Sequence, residues 1–521
     1  MFDLNTVYLL FKIAMLFVLY IVCKMLYEYI YMPMKYRFRY SKYKNVYMTK
    51  KFVPLLADIS LILQNDKDNK SKFHYFIDES LENNKHDLRL AIVGSSIFIY
   101  ICSIKALDEV EKLMPLKIDR DEEKQLPLED VIGGSFALCR SDEKWAQRRK
   151  EMSKLIGINS CSKHIPLMIE TMDKHIDACP IGQEIDLNKV FSKVTFEVIT
   201  KIFFGSDIVE AIGELEYICP TTGQKSMLKF QEFYEKTVAS TFETFFNPKG
   251  KIFSFLASYN LIEPYKSNAK NKNTYLTTLI RYLDNSKDKD SVYQKLYSSG
   301  KFSKTECVMD TLLMLFAGFD TSSHALASTV CLLNRNPDKL LKLKQEIIDC
   351  KIDKVTELPP ELHKSIYDES DYLNYVIKES QRIDNPVIVS ITYQALEDCE
   401  VTGVKISKGD RLEFNIQHSH YNPEQWHRPE EFLPERFDPQ DELFFKPGTN
   451  EPRHPKSYIP FTFGPRNCLG QSLAKLELKV LLCRFLTKVD FEVRQDQIEN
   501  DKWRYHILEG RHLYGKITNK K

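Results

Sequence analysis

The sequence predicts a mainly α protein with small β-sheets, an α+β arrangement, preceded by one transmembrane helix. Three observations predict it. Apolar residues recur at helical spacing through most of the chain from about Leu107 onward. Strand-like alternation is confined to short pieces, and one long apolar stretch stands near the amino end.

The apolar stretch, Val7 to Ile30, is long enough to cross a bilayer although Lys12, Lys24 and Glu28 interrupt it. Only acidic Asp3 precedes it, whereas Lys35, Arg37, Arg39, Lys42 and Lys44 follow, so the positive-inside rule places the rest of the chain in the cytosol. No basic n-region or small-residue cleavage site marks a secretory signal, and no Arg- and Ser-rich opening marks a mitochondrial one. Residues 1–32 are therefore expected to form a membrane anchor and residues 33–521 a catalytic domain.

Helices are expected over Ile165 to Ile176, Leu187 to Phe204, Phe230 to Phe245, Lys304 to Leu333 and Pro337 to Ile348. Asn336-Pro337 punctuates the last two, with proline in a first turn and Asn336 as the cap. Strands are expected near Arg89 to Ile101, Val387 to Ala395, Arg411 to Ile416 and Asp490 to Arg494. Lys266 to Asn273 and Asp284 to Lys289 read as exposed loops.

With 521 residues, 43% of them hydrophobic, the chain can bury a large core. A net charge of +1 gives no reason to expect nucleic acid. The 12 cysteines are scattered without a CxxC pair, which argues against zinc and a disulfide framework and for a reducing compartment.

One cysteine is set apart. Cys468 stands in Phe461-Thr462-Phe463-Gly464-Pro465-Arg466-Asn467-Cys468-Leu469-Gly470, just ahead of the amphipathic run Gln471 to Leu486. A helix N-terminus lowers a thiol's pKa and favours the thiolate, which is a metal ligand or nucleophile. Gly464 and Gly470 let backbone approach something flat, Arg466 suits an anionic group at its edge, and Phe461 can pack beneath. A buried structural cysteine is the commoner use of the residue, but five fixed positions in ten are hard to obtain by chance. The decapeptide resembles the haem-binding signature of the cytochrome P450 monooxygenases, Phe-x-x-Gly-x-Arg-x-Cys-x-Gly, with Ala474 following where that family places it.

Three further segments resemble the family in order. Ala317-Gly318-Phe319-Asp320-Thr321 lies inside a long helical pattern, where glycine costs roughly 1 kcal/mol relative to alanine. Ala317, Gly318 and Thr321 are expected to share a face against a planar macrocycle, with Thr321 bonding back to the Ala317 carbonyl and opening a notch for oxygen. The stretch resembles the oxygen-activation motif, in which a hydroxyl beside a carboxylate relays protons, so Asp320 and Thr321 are the implied catalytic pair. Glu379-Ser380-Gln381-Arg382 resembles the buried Glu-x-x-Arg of the family, with Arg436 in Phe432 to Phe437 as its implied partner. Trp145 and Arg149 repeat the Trp-x-x-x-Arg pattern, and Arg149 and Arg466 are the implied partners of the haem propionates. Where many relatives add an arginine or histidine after Glu-x-x-Arg, this chain has Ile391-Thr392-Tyr393-Gln394, so that partner is missing or replaced.

The resemblance implies a helical fold around haem b (iron protoporphyrin IX), with Cys468 as thiolate ligand to the iron, and insertion of one oxygen atom into a lipophilic substrate such as a sterol, fatty acid or xenobiotic. It implies an endoplasmic reticulum signal anchor, and electrons from NADPH through a separate flavoprotein NADPH-cytochrome reductase, with cytochrome b5 as a second donor. The hinge usual after such anchors is reduced to Pro33. Phe230, Phe233, Phe242, Phe245, Leu313, Phe316, Val387, Ile388 and Val389 suggest the apolar pocket. Lys475, Lys479, Lys144, Arg148 and Lys150 suggest a basic face for an acidic reductase. Two alternatives use the same loop: a haem-thiolate isomerase or dehydratase of a peroxide, which has no need of the Asp320-Thr321 relay, and a membrane-anchored haem sensor without turnover.

Overall fold

The computed structural model describes residues 4–49, 52–53, 57–58, 86–93, 96–121, 128–245, 259–286, 288–499 and 512–521. Its amino end is a continuous helical rod: an α-helix over Leu4–Leu26, a π turn over Tyr27–Tyr31 and an α-helix over Met32–Tyr40. Tyr8–Tyr40 is long and apolar enough to cross a membrane. Pro33 does not break the rod, because it sits in the first turn of Met32–Tyr40, where its missing N–H and fixed φ are tolerated. The expected boundary at residues 32 and 33 thus falls inside a helix. The far end is fastened to the body through one carboxylate. Asp410 accepts from the Tyr36 hydroxyl at 2.8 Å and from the Tyr40 hydroxyl at 3.0 Å, and pairs with Arg39 at 3.1 Å.

The body is built around a 32-residue helix, Lys304–Arg335, started by a capping box in which Ser303 and Glu306 bond each other's backbone. Leu187–Phe204 lies against it and explains its glycine. A Cβ on Gly318 would come within 3.2 Å of Ile199 Cδ1. Beside that contact the Thr195 hydroxyl lies 2.8 Å from the Phe319 carbonyl, and Phe196 meets Phe319 edge to face at 5.4 Å. Close approach offsets the propensity cost: Ile199 fills the side of Gly318 where a Cβ would stand.

Helices over Ile165–Asp177, Phe230–Phe245, Tyr265–Asn285, Asp371–Ile383 and Gln471–Lys488 complete the body. Lys266 to Asn273 is not a loop but the start of Tyr265–Asn285. Two of its asparagines are buried and bonded: Asn268 Nδ2 donates to Thr244 Oγ1 at 2.7 Å, and Asn271 Nδ2 to the Ile218 carbonyl at 2.8 Å. The same helix runs to Asn285, so the second expected loop begins two residues late; residue 287 lies outside the described residues. Asn336 stands at the N-cap of Pro337–Asp349, but its side chain donates backward to the Leu332 carbonyl at 2.8 Å and so closes the preceding helix.

A six-stranded sheet runs in the order Val46–Met48, Leu88–Val93, Ser96–Ile101, Arg411–Phe414, Tyr393–Ala395, Ile118–Arg120. Leu88–Val93 and Ser96–Ile101 split the strand expected from Arg89 to Ile101 into an antiparallel pair. Of Val387 to Ala395 only the last three residues form a strand, with an isolated bridge from Val389 to Asn415. The strand from Arg411 stops at Phe414, and Asn415 caps a short helix. Val489–Val493 pairs with Tyr514–Lys520 in a second sheet.

Candidate haem-thiolate site

The cysteine loop folds back on itself, with the Cys468 N–H donating to the Phe461 carbonyl at 2.9 Å. Gly464 takes a φ of 70°, which a side chain would strain, so here glycine serves the turn. Gly470 lies nearer the thiol: a Cβ there would be 3.9 Å from Cys468 Sγ and 3.5 Å from Met314 Cε on the central helix. The loop and the middle of that helix therefore face each other. The ring of Phe461 lies under the Lys475 ammonium, 5.5 Å from it.

Cys468 keeps accessible surface. The lowered pKa expected from the helix N-terminus does not hold for the free thiol. Burial pushes it up, and the Gly470 N–H, the Arg149 charge and the Gln471 N–H pull it back only in part. A bound cation would reverse that balance, because metal binding deprotonates a thiol. On the opposing helix Ala317 is exposed and Thr321 half-buried, while Leu315, Phe319 and Ser322 of the same stretch are buried. The Thr321 hydroxyl donates to the Ala317 carbonyl at 2.7 Å, as its position suggests, while the helix stays unbroken α through the motif. Burial pushes the Asp320 carboxyl up to about 6, with His324 acting against that and Glu235 with it.

Three guanidiniums collect beside the thiol. Arg466 lies over the Trp145 ring at 4.1 Å and Arg149 at 5.9 Å, so one indole carries both. Arg149 Nη2 bonds the Asn467 carbonyl at 2.8 Å. Arg466 is held by Ser141 Oγ at 2.8 Å, the Cys139 carbonyl at 2.6 Å and Asp119 at 3.2 Å, so much of its donor capacity is already used inside the protein. The third, Arg120, carried no sequence signal. It is buried, its Nη1 donates to the Ile391 carbonyl at 2.8 Å, and its Nε has no hydrogen-bond partner among the described residues. Burial and then the Arg120 charge push Arg466 down to about 10; burial lowers Arg149, and Arg120 adds to it. Packed like charges with a buried donor left over fit an anionic group, as the carboxylates of haem would be.

Tyr393 stands where an arginine or histidine was expected. It pairs across the sheet with Arg120, whose guanidinium carbon is 4.2 Å from its ring centroid. Tyr393 stacks on Phe414 at 4.8 Å and Phe414 on Phe463 at 4.9 Å, a ladder leading from Arg120 into the cysteine loop.

Glu379 bonds both arginines expected of it. Arg382 donates Nε and Nη2 to its two oxygens at 2.8 and 2.9 Å, Arg436 Nε donates at 3.0 Å, and all three side chains are fully buried. The Leu433 N–H adds a fourth bond at 3.0 Å. Arg453, which the motifs did not flag, stacks on Trp426 at 4.2 Å and donates to the Arg436 carbonyl at 2.7 Å.

Other expectations separate. Phe230 and Phe233 are core, packed edge to face on Phe196 and Tyr217, and Leu313 and Ile388 are buried too. Phe242 and Phe316 stack at 6.1 Å and, with Val387 and Val389, keep accessible surface. The Phe245 side chain lies outside the described residues. Arg148 is not on a solvated face: it is buried against Asp310, with Nε to Oδ2 at 2.8 Å. Lys144 pairs with Glu306, and Lys479 reaches Asp368 at 3.4 Å. Lys475 is lowered by burial and by Lys378 and Lys479, which marks a cluster of positive charge around the helix after Cys468.

A soft sulfur donor at the start of a helix, with cationic partners for carboxylates alongside, defines a haem-thiolate protein. The chain belongs to the cytochrome P450 family, whose model matches residues 92–508. It is similar to Cytochrome P450 3A2 of Rattus norvegicus, 26% identical over 397 residues that cover 73% of this chain and 74% of the relative. It is also similar to Cytochrome P450 3A5 of Homo sapiens, 26% identical over 371 residues covering 67% and 68%. At that distance the family's haem b and monooxygenase chemistry carry over, and substrate choice does not. The protein is a haem-thiolate monooxygenase.

Proposed function

We propose that the protein inserts one oxygen atom from dioxygen into a lipophilic substrate, taking electrons from NADPH through a separate flavoprotein reductase while anchored in the endoplasmic reticulum membrane. The observation that carries this reading is that the Cys468 loop meets the central helix at Met314, on a helix whose next turns carry the exposed Ala317 and the half-buried Thr321. Phe242, Phe316, Val387 and Val389 supply apolar accessible surface, which favours a substrate with little polarity. The rod over Tyr8–Tyr40 supports a membrane anchor, with residues 1–32 as its lipid-facing part and residues 33–521 as the catalytic domain.

In this reading Cys468 binds the haem iron as thiolate, and Arg149 and Arg120 hold the propionates, with Trp145 and Arg466 completing the cationic wall. Haem, when bound, supplies oxygen activation, with the thiolate favouring cleavage of the O–O bond. Asp320 and Thr321 hold and pass the protons that the distal oxygen needs. Ala317 leaves room above the cofactor and Gly470 lets the loop come close beneath it. Glu379, Arg382 and Arg436 hold the surrounding loops and take no part in the chemistry. The lysines at 378, 475 and 479 favour an acidic electron donor at this face.

The test is reconstitution of the haem-loaded full chain in vesicles with NADPH-cytochrome reductase, with and without cytochrome b5, against lipophilic compounds that shift the haem spin state. Expected are a red-shifted ferrous carbon monoxide band and NADPH consumption coupled to a hydroxylated product. Rearrangement of a hydroperoxide without NADPH would replace this reading with the isomerase one. Absence of any NADPH consumption across spin-shifting compounds would favour the sensor.

A further inference from the structure

Asp320, His324 and Ser328 follow one another at intervals of four on the central helix and so lie along one face. The last two meet a single carboxylate. His324 Nε2 is 3.2 Å from Asp384 Oδ1, and the Ser328 hydroxyl donates to Asp384 Oδ2 at 2.5 Å. Asp384 comes from another element, as the C-cap of Asp371–Ile383, where its own N–H is fixed on the Ser380 carbonyl at 2.8 Å. The His324 side chain is 3% exposed and that of Asp384 14%, so of this pair Asp384 is the member that reaches accessible surface.

A carboxyl that gives up a proton in a buried site must regain one before the next turnover. Asp320, half-buried on the central helix, faces two titratable groups: His324 on its own helix, and Glu235 from Phe230–Phe245. Glu235 is occupied elsewhere, accepting from Ser192 Oγ at 2.9 Å and Gln231 Nε2 at 2.8 Å. An imidazole can take a proton on one ring nitrogen and release it from the other.

We propose that His324, held by Asp384 and Ser328, is the positioning residue that returns protons to Asp320. This rests on the reading of Asp320 as the carboxyl of the relay. The proton that leaves the Asp320 carboxyl is replaced from the His324 imidazolium one helical turn on. The imidazole is then reprotonated from the Asp384 side, so one proton enters for each one delivered and no electrons move. Ser328 occupies the second Asp384 oxygen and keeps the first at the ring.

The experiment follows the infrared stretch of carbon monoxide bound to the ferrous, haem-loaded full chain as a function of pH, in the parent and in Asp320→Asn, His324→Gln and Asp384→Asn. The parent stretch is expected to titrate near pH 6, the value burial gives Asp320, and Asp320→Asn to be flat. His324→Gln removes the charge that favours the carboxylate, so its midpoint moves upward in pH, to about tenfold lower proton concentration. With NADPH and reductase, His324→Gln should divert several-fold more electrons to hydrogen peroxide at an unchanged Soret position, and Asp384→Asn should change in the same direction. A flat Asp320→Asn with His324→Gln titrating as the parent overturns the role of His324 alone. A titration that persists in Asp320→Asn overturns the relay reading together with it.

Discussion

Arg120 lies directly across the strand pair from Tyr393, its guanidinium carbon 4.2 Å from the ring centroid and its Nε without a partner among the described residues. The strand position where the family resemblance suggests a cation holds an aromatic ring, and a guanidinium faces it from the next strand. A charge-assisted hydrogen bond is worth about 1.5–3 kcal/mol. Arg120→Gln should therefore weaken haem retention by about tenfold or more, measured as the rate of haem transfer to apomyoglobin. A parental rate would remove Arg120 from the cofactor site.

Cys468→Ala should fold and lose the red-shifted ferrous carbon monoxide band, since no other described cysteine stands in the loop facing the central helix. Retention of that band would assign the thiolate elsewhere.

Thr321→Ala should keep the haem and its spectrum, because among the described residues the hydroxyl bonds only the Ala317 carbonyl of its own helix. Product formation should fall by about a hundredfold, the low end for a lost proton donor, with the missing electrons recovered as hydrogen peroxide. Parental coupling would exclude the hydroxyl from the relay.

Arg382→Ala would leave Glu379 fully buried with Arg436 as its remaining cation. Breaking a buried pair of this kind costs about 3–5 kcal/mol, so denaturant unfolding should show a loss of that order. A loss no larger than that of an exposed ion pair would make the network dispensable.

Glu477, buried on Gln471–Lys488, has its carboxyl pushed up to about 8 by burial, with Ser322 pulling against it. The folded protein binds this proton more tightly than the unfolded chain does. Its contribution to stability is full below about pH 4.5 and is lost as pH rises through about 8. Glu477→Gln should flatten the fall in melting temperature on the alkaline side, and an unchanged pH profile would mean that the carboxyl is ionised in the fold.

The helices and the cysteine loop were legible because their signals are local. Five fixed residues in ten specify Cys468, and the Lys304–Arg335 helix shows itself by spacing. What the sequence hid depends on partners far along the chain. Arg148 reads as a solvated residue until Asp310 is brought against it, and Asn268 and Asn271 read as a loop until the neighbouring elements accept their hydrogen bonds. Arg120 is legible only through a strand register that joins positions 120 and 393. The packing of Gly318 was hidden for a related reason: helical spacing gives its angle about the axis, and only the neighbouring helix shows that Ile199 stands where a Cβ would be.

The rod from Leu4 to Tyr40 has no swivel at Pro33, and its last turn is riveted to Asp410, the residue next to the strand Arg411–Phe414. It works as a mast stepped into the sheet. With the rod in lipid as proposed, a tilt of the mast would pass to that strand and, through Phe414 and Tyr393, to Arg120. Bilayer thickness would then be a variable that bears on how Arg120 is set.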